Sequence, residues 1–271
     1  MGERRETDEP AGVLGSLGVL DMPDVPEVPD APRGYRERAS RVAGAVLWTN
    51  TTGPAGRPVL PDGCTDLIWS EGRLLVAGPD TGPYHPGGVP PGTGFTGLRF
   101  APGQGPAVFG VPAHELRDRR VPLADLWPAA QVRELTERAA EQAAARVATG
   151  VGRVLEETAG ARLRQGAAGP AGDARTAAVA AALARGRPVA EVARAVALSE
   201  RQLHRLSLDT FGYGPKTLAR VLRFVRALDL ARTGMPYAEV AVRAGYADQA
   251  HLAREVKSLA GAPMGALLGS G

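Results

Sequence analysis

The sequence predicts an α+β protein, with a β-rich N-terminal domain followed by an all-α C-terminal domain of two helix-turn-helix units joined by a linker helix. Three observations carry this expectation. Short apolar runs broken by Gly and Pro fill residues 35–128, a Gly/Ala/Pro stretch at 166–172 ends the following segment, and the remaining chain repeats itself at an interval of 48 to 49 residues.

Taken in order, residues 1–34 are acidic and carry Pro10, Pro23, Pro26, Pro29 and Pro32, so a disordered tail is expected. Within 35–128, the runs Val42–Trp48, Asp66–Trp69, Arg73–Ala77 and Phe95–Phe100 have strand length and breaker-bounded ends. Residues 129–165, chiefly Gln131–Gln165, read as a connector of one or two polar-faced helices. The stretch 166–172 (GAAGPAG) reads as a flexible linker, and 173–268 as the repeated helical domain.

Composition narrows the class of partner. The 271 residues are 44% hydrophobic but only 5% aromatic, which favours helices packed through small and aliphatic side chains. The net charge of +3 is uneven: from Arg185 onward thirteen basic residues face seven acidic ones, giving +6, and the preceding part carries −3. A polyanion suits the C-terminal part. The single cysteine, Cys64, excludes an intramolecular disulfide and a Cys-based zinc cluster and fits a reducing compartment. The apolar stretch Ala11–Leu20 is too short to span a bilayer, so a cytoplasmic protein without membrane association is expected.

The repeat is visible in the chain itself. Pro188-Val-Ala-Glu-Val-Ala recurs as Pro236-Tyr-Ala-Glu-Val-Ala, and Leu203-His-Arg205 recurs as Leu252-Ala-Arg254. In each copy proline opens a short helix. In the first, a turn at Ala197 and Leu198 precedes Ser199, which with Gln202 three residues on forms a capping-box pattern; in the second, Gly245-Tyr-Ala247 precedes Asp248, another good cap. The two second helices are expected at 199–211 and 248–260. Leu203 and Leu206, and Leu252 and Val256, fall on an inward face. Arg201, His204 and Arg205, and Gln249, His251 and Arg254, fall outward near the helix starts, with side chains suited to base edges in a major groove.

Between the copies, Pro215–Thr233 reads as one amphipathic helix of about 28 Å, near the ~34 Å between successive major-groove faces. Leu218, Leu222, Val225 and Leu228 are expected on its apolar side. Arg220, Arg223 and Arg226 lie towards the other, as phosphate partners or as a solvated face, two readings of equal weight.

Residues from about 173 to 268 resemble the DNA-binding domain of the AraC/XylS family of regulators. The resemblance rests on Ser199-Glu-Arg-Gln-Leu-His-Arg205, Phe211-Gly-Tyr-Gly-Pro-Lys216 and Gly245-Tyr-Ala-Asp-Gln-Ala-His-Leu-Ala-Arg254. It implies base and phosphate contacts at Arg201, His204, Arg205, Gln249, Ala250, His251 and Arg254. Ser207 and Val256 stand where the family often carries phenylalanine. The N-terminal part, through Pro61-Asp-Gly-Cys-Thr-Asp-Leu-Ile-Trp69, Ala77-Gly-Pro-Asp-Thr81, Gly97-Leu-Arg-Phe-Ala-Pro-Gly103 and Gly110-Val-Pro112, resembles an uncharacterised domain found ahead of this DNA-binding domain in many actinobacterial regulators, which implies an input or dimerisation role.

Asp62, Cys64, Asp66 and Arg99 are candidates for a ligand pocket, although turn-capping and salt-bridging roles are commoner for such residues. His85 and His114 lack metal-ligand spacing to each other or to Cys64, so neither a metal nor a cofactor is expected. The leading reading is a non-enzymatic, sequence-specific DNA-binding transcription regulator that reads two adjacent grooves under the control of its N-terminal domain. Its partner is double-stranded DNA, and RNA polymerase, a small-molecule effector and a second copy of the chain are further candidates. Two alternatives stand beside it: a cysteine-dependent or methyl-acceptor activity at Cys64, and a nonspecific architectural DNA binder.

Overall fold

The computed structural model describes residues 34–53, 58–146, 149–165 and 170–269, with no account of the side chains of 170–173. The expected acidic tail, apart from Gly34, and residues 166–169 of the expected linker lie outside the described residues.

Six antiparallel strands form one sheet: β1 (Arg36–Ala39), β2 (Val46–Thr51), β3 (Thr65–Ser70), β4 (Arg73–Ala77), β5 (Gly94–Phe100) and β6 (Arg120–Pro122), in the spatial order β1-β2-β5-β3-β4-β6. The four inner strands correspond to the four apolar runs, because only a strand with a buried face needs apolar alternation. The two edge strands were not anticipated. β1 has the sequence RERA and is exposed throughout, and β6 ends in Pro122, a residue tolerated at a sheet edge where no ladder donor is needed. The run beginning at Val42 becomes strand only at Val46; before that the chain turns, with Ser40 N–H donating to Ala45 C=O and Ala45 N–H to Val42 C=O.

One face of the sheet carries Leu47, Leu67, Leu74, Val76, Leu98 and Phe100, all 6% exposed or less. Against it pack α1 (Gly105–Phe109), α3 (Ala129–Ala144) and α4 (Gly150–Gln165), which contribute Phe109, Leu135, Ala139, Leu155 and Ala159 to the same core. Gly152 lets α4 approach this closely: a Cβ there would lie 2.4 Å from Leu47 Cδ2. The helices read as a connector are therefore one layer of the N-terminal core. Glu156 of α4 is buried, yet Arg38, Ser40 and the Arg41 N–H all donate to it, so the exposed edge strand is tied down by hydrogen bonds. The opposite face of the sheet holds the pairs Trp48↔Gly97 and Asp66↔Arg99. Short α2 (Ala113–Leu116) lies at the end of the sheet domain that meets the helices described next.

The C-terminal part consists of α5 (Pro170–Ala184), α6 (Val189–Ala195), α7 (Glu200–Phe211), α8 (Pro215–Arg232), α9 (Tyr237–Ala244), α10 (Gln249–Ala260) and α11 (Met264–Leu268). α5 begins at Pro170, inside the stretch read as linker: proline fits a helix start, and the alanine-rich run behind it propagates the helix. Two cores result. Val179, Leu183, Val192, Leu203 and Phe211 surround one, and Val240, Leu252, Val256 and Leu259 the other. α8 serves both, with Leu218 in the first and Val221, Phe224, Ala227 and Leu228 in the second. Its inward face thus differs from the expected one: Leu218 and Leu228 are buried, but Val221 and Phe224 replace Leu222 and Val225, which are only partly covered. A helix that serves two cores in turn needs a wider apolar face than a single stripe.

Candidate nucleic-acid interface

The two turn regions are built by the same local rules. After α6, the Ala197 N–H donates to Arg194 C=O and the Leu198 N–H to Ala193 C=O; after α9, Gly245 donates to Val242 and Tyr246 to Ala241. This pattern of paired bonds closes a helix when the residue past its end takes a left-handed conformation. Ala197 has φ +55° and Gly245 φ +85°.

The next helix is then capped. Ser199 accepts from the Gln202 N–H at 3.2 Å while the Gln202 side chain accepts from the Ser199 N–H at 2.9 Å, completing the capping box. Asp248 accepts from the His251 N–H at 2.6 Å. Gly212 and Gly261 end α7 and α10 in matching left-handed conformations. Residues 49 apart in sequence thus occupy equivalent places in the two units: Leu203 and Leu252, Arg205 and Arg254, Ser207 and Val256.

With their inward faces buried, α7 and α10 leave most of the expected contact residues open. Arg201, His204 and Arg205 are exposed on α7, and Gln249, Ala250 and Arg254 on α10. His204 also lies against the backbone of Gly214, where a Cβ would come within 2.7 Å of its ring. His251 differs from the rest. It is half-buried, meets the Tyr246 ring edge-on at 5.3 Å and accepts from the Ala247 N–H, so it stiffens the start of α10.

The three arginines of α8 each have different neighbours. Arg220 donates to Glu255 at 2.6 Å and to Ser258 at 2.7 Å, bracing α8 against α10. Arg223 lies 4.7 Å over the Tyr246 ring and 3.9 Å from Glu255. Arg226 is exposed, with no ion pair among the described residues. Sequence reading missed three further arginines: Arg185, Arg187 and Arg243 share a cleft with Arg223 and Arg226. Two arginines one residue apart, Arg185-Gly-Arg187, directly before the helix-opening Pro188 were the available signal.

On the outer face of the sheet, the four candidate pocket residues converge. Arg99 Nε lies 3.4 Å from both Asp62 and Asp66, Trp48 donates to Asp66 at 2.6 Å, and the Cys64 N–H donates to Asp62 at 2.8 Å. Trp48 fits because Gly97 opposite it has no Cβ to obstruct the indole. Burial pushes the Asp66 carboxyl up, with Arg99 opposing it. Burial and then the neighbouring Asp62 carboxylate push the Cys64 thiol well up. A thiol held protonated is a poor nucleophile, and His114 sits 3.4 Å from Asp209 of α7.

This part of the sheet domain touches the first helical unit. Gly63, between Asp62 and Cys64, faces Leu218 of α8, Tyr213 donates to Asp80 C=O at 3.2 Å, and Arg117 donates to Gly212 C=O at 3.1 Å. Asp80 is held in turn by a bidentate pair with Arg120 at 2.8 and 2.6 Å. Among the described residues, no helix is long and apolar enough to cross a membrane and no cluster of metal-ligating side chains is present.

Residues 192–269 match a family model described as a helix-turn-helix domain, and residues 45–122 match one described as a domain of unknown function (DUF6597). No curated protein matches the chain. Among solved structures, it is similar to ToxT from Vibrio cholerae, at 9% identity and a TM-score of 0.47 over 88% of this chain and 98% of that one. It is also similar to ToxT with an unsaturated fatty acid bound, at 10% identity and a TM-score of 0.41 over 83% and 94%. The chain thus carries a stretch matching DUF6597 ahead of a C-terminal stretch matching a helix-turn-helix domain.

Proposed function

We propose that this protein is a transcription regulator that binds specific DNA sequences by placing α7 and α10 in successive major grooves on one side of the duplex. One observation carries the reading: two equivalent helices, joined by an 18-residue helix of about 27 Å, expose Arg201, His204 and Arg205 on one and Gln249, Ala250 and Arg254 on the other. Arginine forks guanine and glutamine forks adenine in the major groove, so these residue types supply direct readout. His251 supports α10 from within.

The test is a binding measurement at physiological salt, with duplexes selected from genomic fragments against random duplexes of equal length. A preference of about a thousandfold or more is expected of a specific regulator. Equal affinity for the two pools refutes the proposal and identifies an architectural binder.

Control of this activity is assigned to the sheet domain, with Asp62, Cys64, Asp66 and Arg99 as its input site. What supports this is position: the cluster sits beside Gly63, which faces Leu218, so a ligand or partner that rearranges the cluster displaces the start of α8. Tyr213→Phe removes the link to Asp80 C=O, a loss of about 1 kcal/mol, and is expected to change DNA affinity while leaving base preference unaltered. Unchanged affinity in a folded variant would rule out control through this contact.

A further inference from the structure

Between the two helical units lies a cleft of about 270 Å³ lined by five arginines. Arg185 and Arg187 come from the turn between α5 and α6, Arg223 and Arg226 from α8, and Arg243 from the end of α9, beside Gly245. No carboxylate is among the lining residues. The counter-charges nearby are partial: Arg187 pairs with Glu191 at 3.4 Å and Arg243 with Glu239 at 2.7 Å, each one helical turn away, and Glu255 is 3.9 Å from Arg223 while bound more closely to Arg220. Arg185 and Arg226 have no ion pair among the described residues, and the Arg223 Nε is buried without a hydrogen-bond partner.

Gathering five guanidinium groups costs free energy unless an anion joins them, and guanidinium forks match phosphate oxygens in spacing and planarity. The uncharged lining is Leu183, Ala184, Gly186, Ala219, Ala244 and Gly245. None of these side chains can hydrogen-bond a base or a sugar, and the nearby Tyr246 ring is covered by Arg223. A Cβ at Gly245 would meet no atom nearer than Arg223 Cδ at 4.0 Å, so the cleft is open beside the turn that leads into α10. Its other wall immediately precedes Pro188, the start of the first helix-turn-helix. The cleft therefore lies between the start of the first helix-turn-helix unit and the turn that leads into α10 of the second.

We infer that this arginine cleft binds phosphate, and that the phosphate belongs to the DNA backbone midway between the two grooves. The inference rests on the DNA-binding reading and adds a third anchor to it, one that sets the spacing of the two half-sites without reading sequence. Arg220, committed to Glu255 and Ser258, takes no part.

The experiment compares the full-length protein with its Arg185→Ala/Arg226→Ala variant, whose replaced side chains make no ion pair that the fold requires; thermal melting verifies folding. Binding to a selected site is measured across salt concentrations and on duplexes carrying single methylphosphonates, which neutralise one phosphate at a time. The variant is expected to bind about tenfold or more weakly to selected and random duplexes alike. Its log–log salt slope should be shallower by about 1 to 2, the loss of one or two phosphate contacts. Neutralising a central phosphate should weaken the parent and leave the variant unaffected. If the parent shows no sequence preference, the DNA reading itself fails. If the parent is selective but the variant keeps the full salt slope and the same response to central neutralisation, the cleft assignment is overturned. A third arm adds inorganic phosphate: melting raised in the parent but not in the variant, with no effect of central neutralisation, would move the site to a free phosphate-bearing solute and overturn the DNA assignment.

Discussion

The two helix-turn-helix units share a backbone plan and differ in what holds them. Both close the first helix with the same paired bonds, cap the second with a side-chain oxygen and end it on a left-handed glycine. The first unit is fastened to the sheet domain through Asp209, Gly212 and Tyr213; the second is fastened to α8 through Glu255 and its arginines. Their exposed faces differ as well. The first exposes two arginines and a histidine, whereas the second exposes a glutamine, an alanine and one arginine, its histidine being turned inward. The positions that set backbone geometry are thus alike in the two units, while most of the exposed positions near the helix starts, Arg205 and Arg254 apart, differ.

The largest test of this equivalence lies in the cores. Leu203 and Leu252 are 0% and 2% exposed, so Leu203→Ala and Leu252→Ala should each cost about 2 to 5 kcal/mol. Chemical denaturation of the full chain measures both; a cost below about 1 kcal/mol at either site would show that the units are not equivalently packed.

Next come the reading surfaces. Arg205→Ala and Arg254→Ala should each weaken binding to a selected site by about 1 to 3 kcal/mol and relax preference at different base pairs, one in each half-site. Binding to single-base variants of the site distinguishes this from a uniform loss, which would reduce either residue to a phosphate contact.

Glu255→Gln probes the fastening of the second unit alone. It removes the 2.6 Å ion pair with Arg220, a cost of about 1 to 2 kcal/mol for a half-buried pair, and amide exchange should rise in α10 but not in α7.

The turns predict a smaller asymmetry. Ala197 is held at φ +55° and Gly245 at φ +85°, and a left-handed conformation costs a side chain about 1 to 2 kcal/mol. Gly245→Ala should therefore destabilise by about 1 kcal/mol, whereas Ala197→Gly should be neutral or slightly stabilising, since relief of strain offsets the greater freedom of glycine in the unfolded chain. Equal losses from both exchanges would contradict the strain assigned to Ala197. Smallest of all, Ser207 is fully buried, its hydroxyl without a hydrogen-bond partner among the described residues, where the second unit has Val256, so Ser207→Ala should raise stability by up to about 1 kcal/mol. A loss of stability would mean that the hydroxyl has a partner.

Residues that act on near neighbours were the readable ones. The capping box of Ser199 and Gln202, the Asp248 cap and the four inner strands all depend on contacts or alternation within a few positions, and each appears in the structure where the sequence placed it or within a few residues. The edge strands escaped because β1 is exposed throughout and β6, three residues long, buries only Val121, so neither carries an apolar alternation. Among the site residues, exposure of Arg201, Arg205 and Arg254 followed from helical spacing, but the inward turn of His251 did not, because its partner Tyr246 lies across a turn.

Sequence alone determined that two similar units exist, where the second helix of each starts and which face of it is apolar, because helix caps and periodicity are local and each copy states them independently. Only the tertiary structure decided the arginines. Arg220, Arg223 and Arg226 stand three apart on one helix and look alike in sequence, yet Arg220 is paired to Glu255, Arg223 covers Tyr246 while lining the cleft, and Arg226 opens into that cleft with Arg185 and Arg243. A guanidinium group takes its role from the nearest opposite charge, aromatic face or open space. Those neighbours come from helices far away in the chain, and only folding brings them to it.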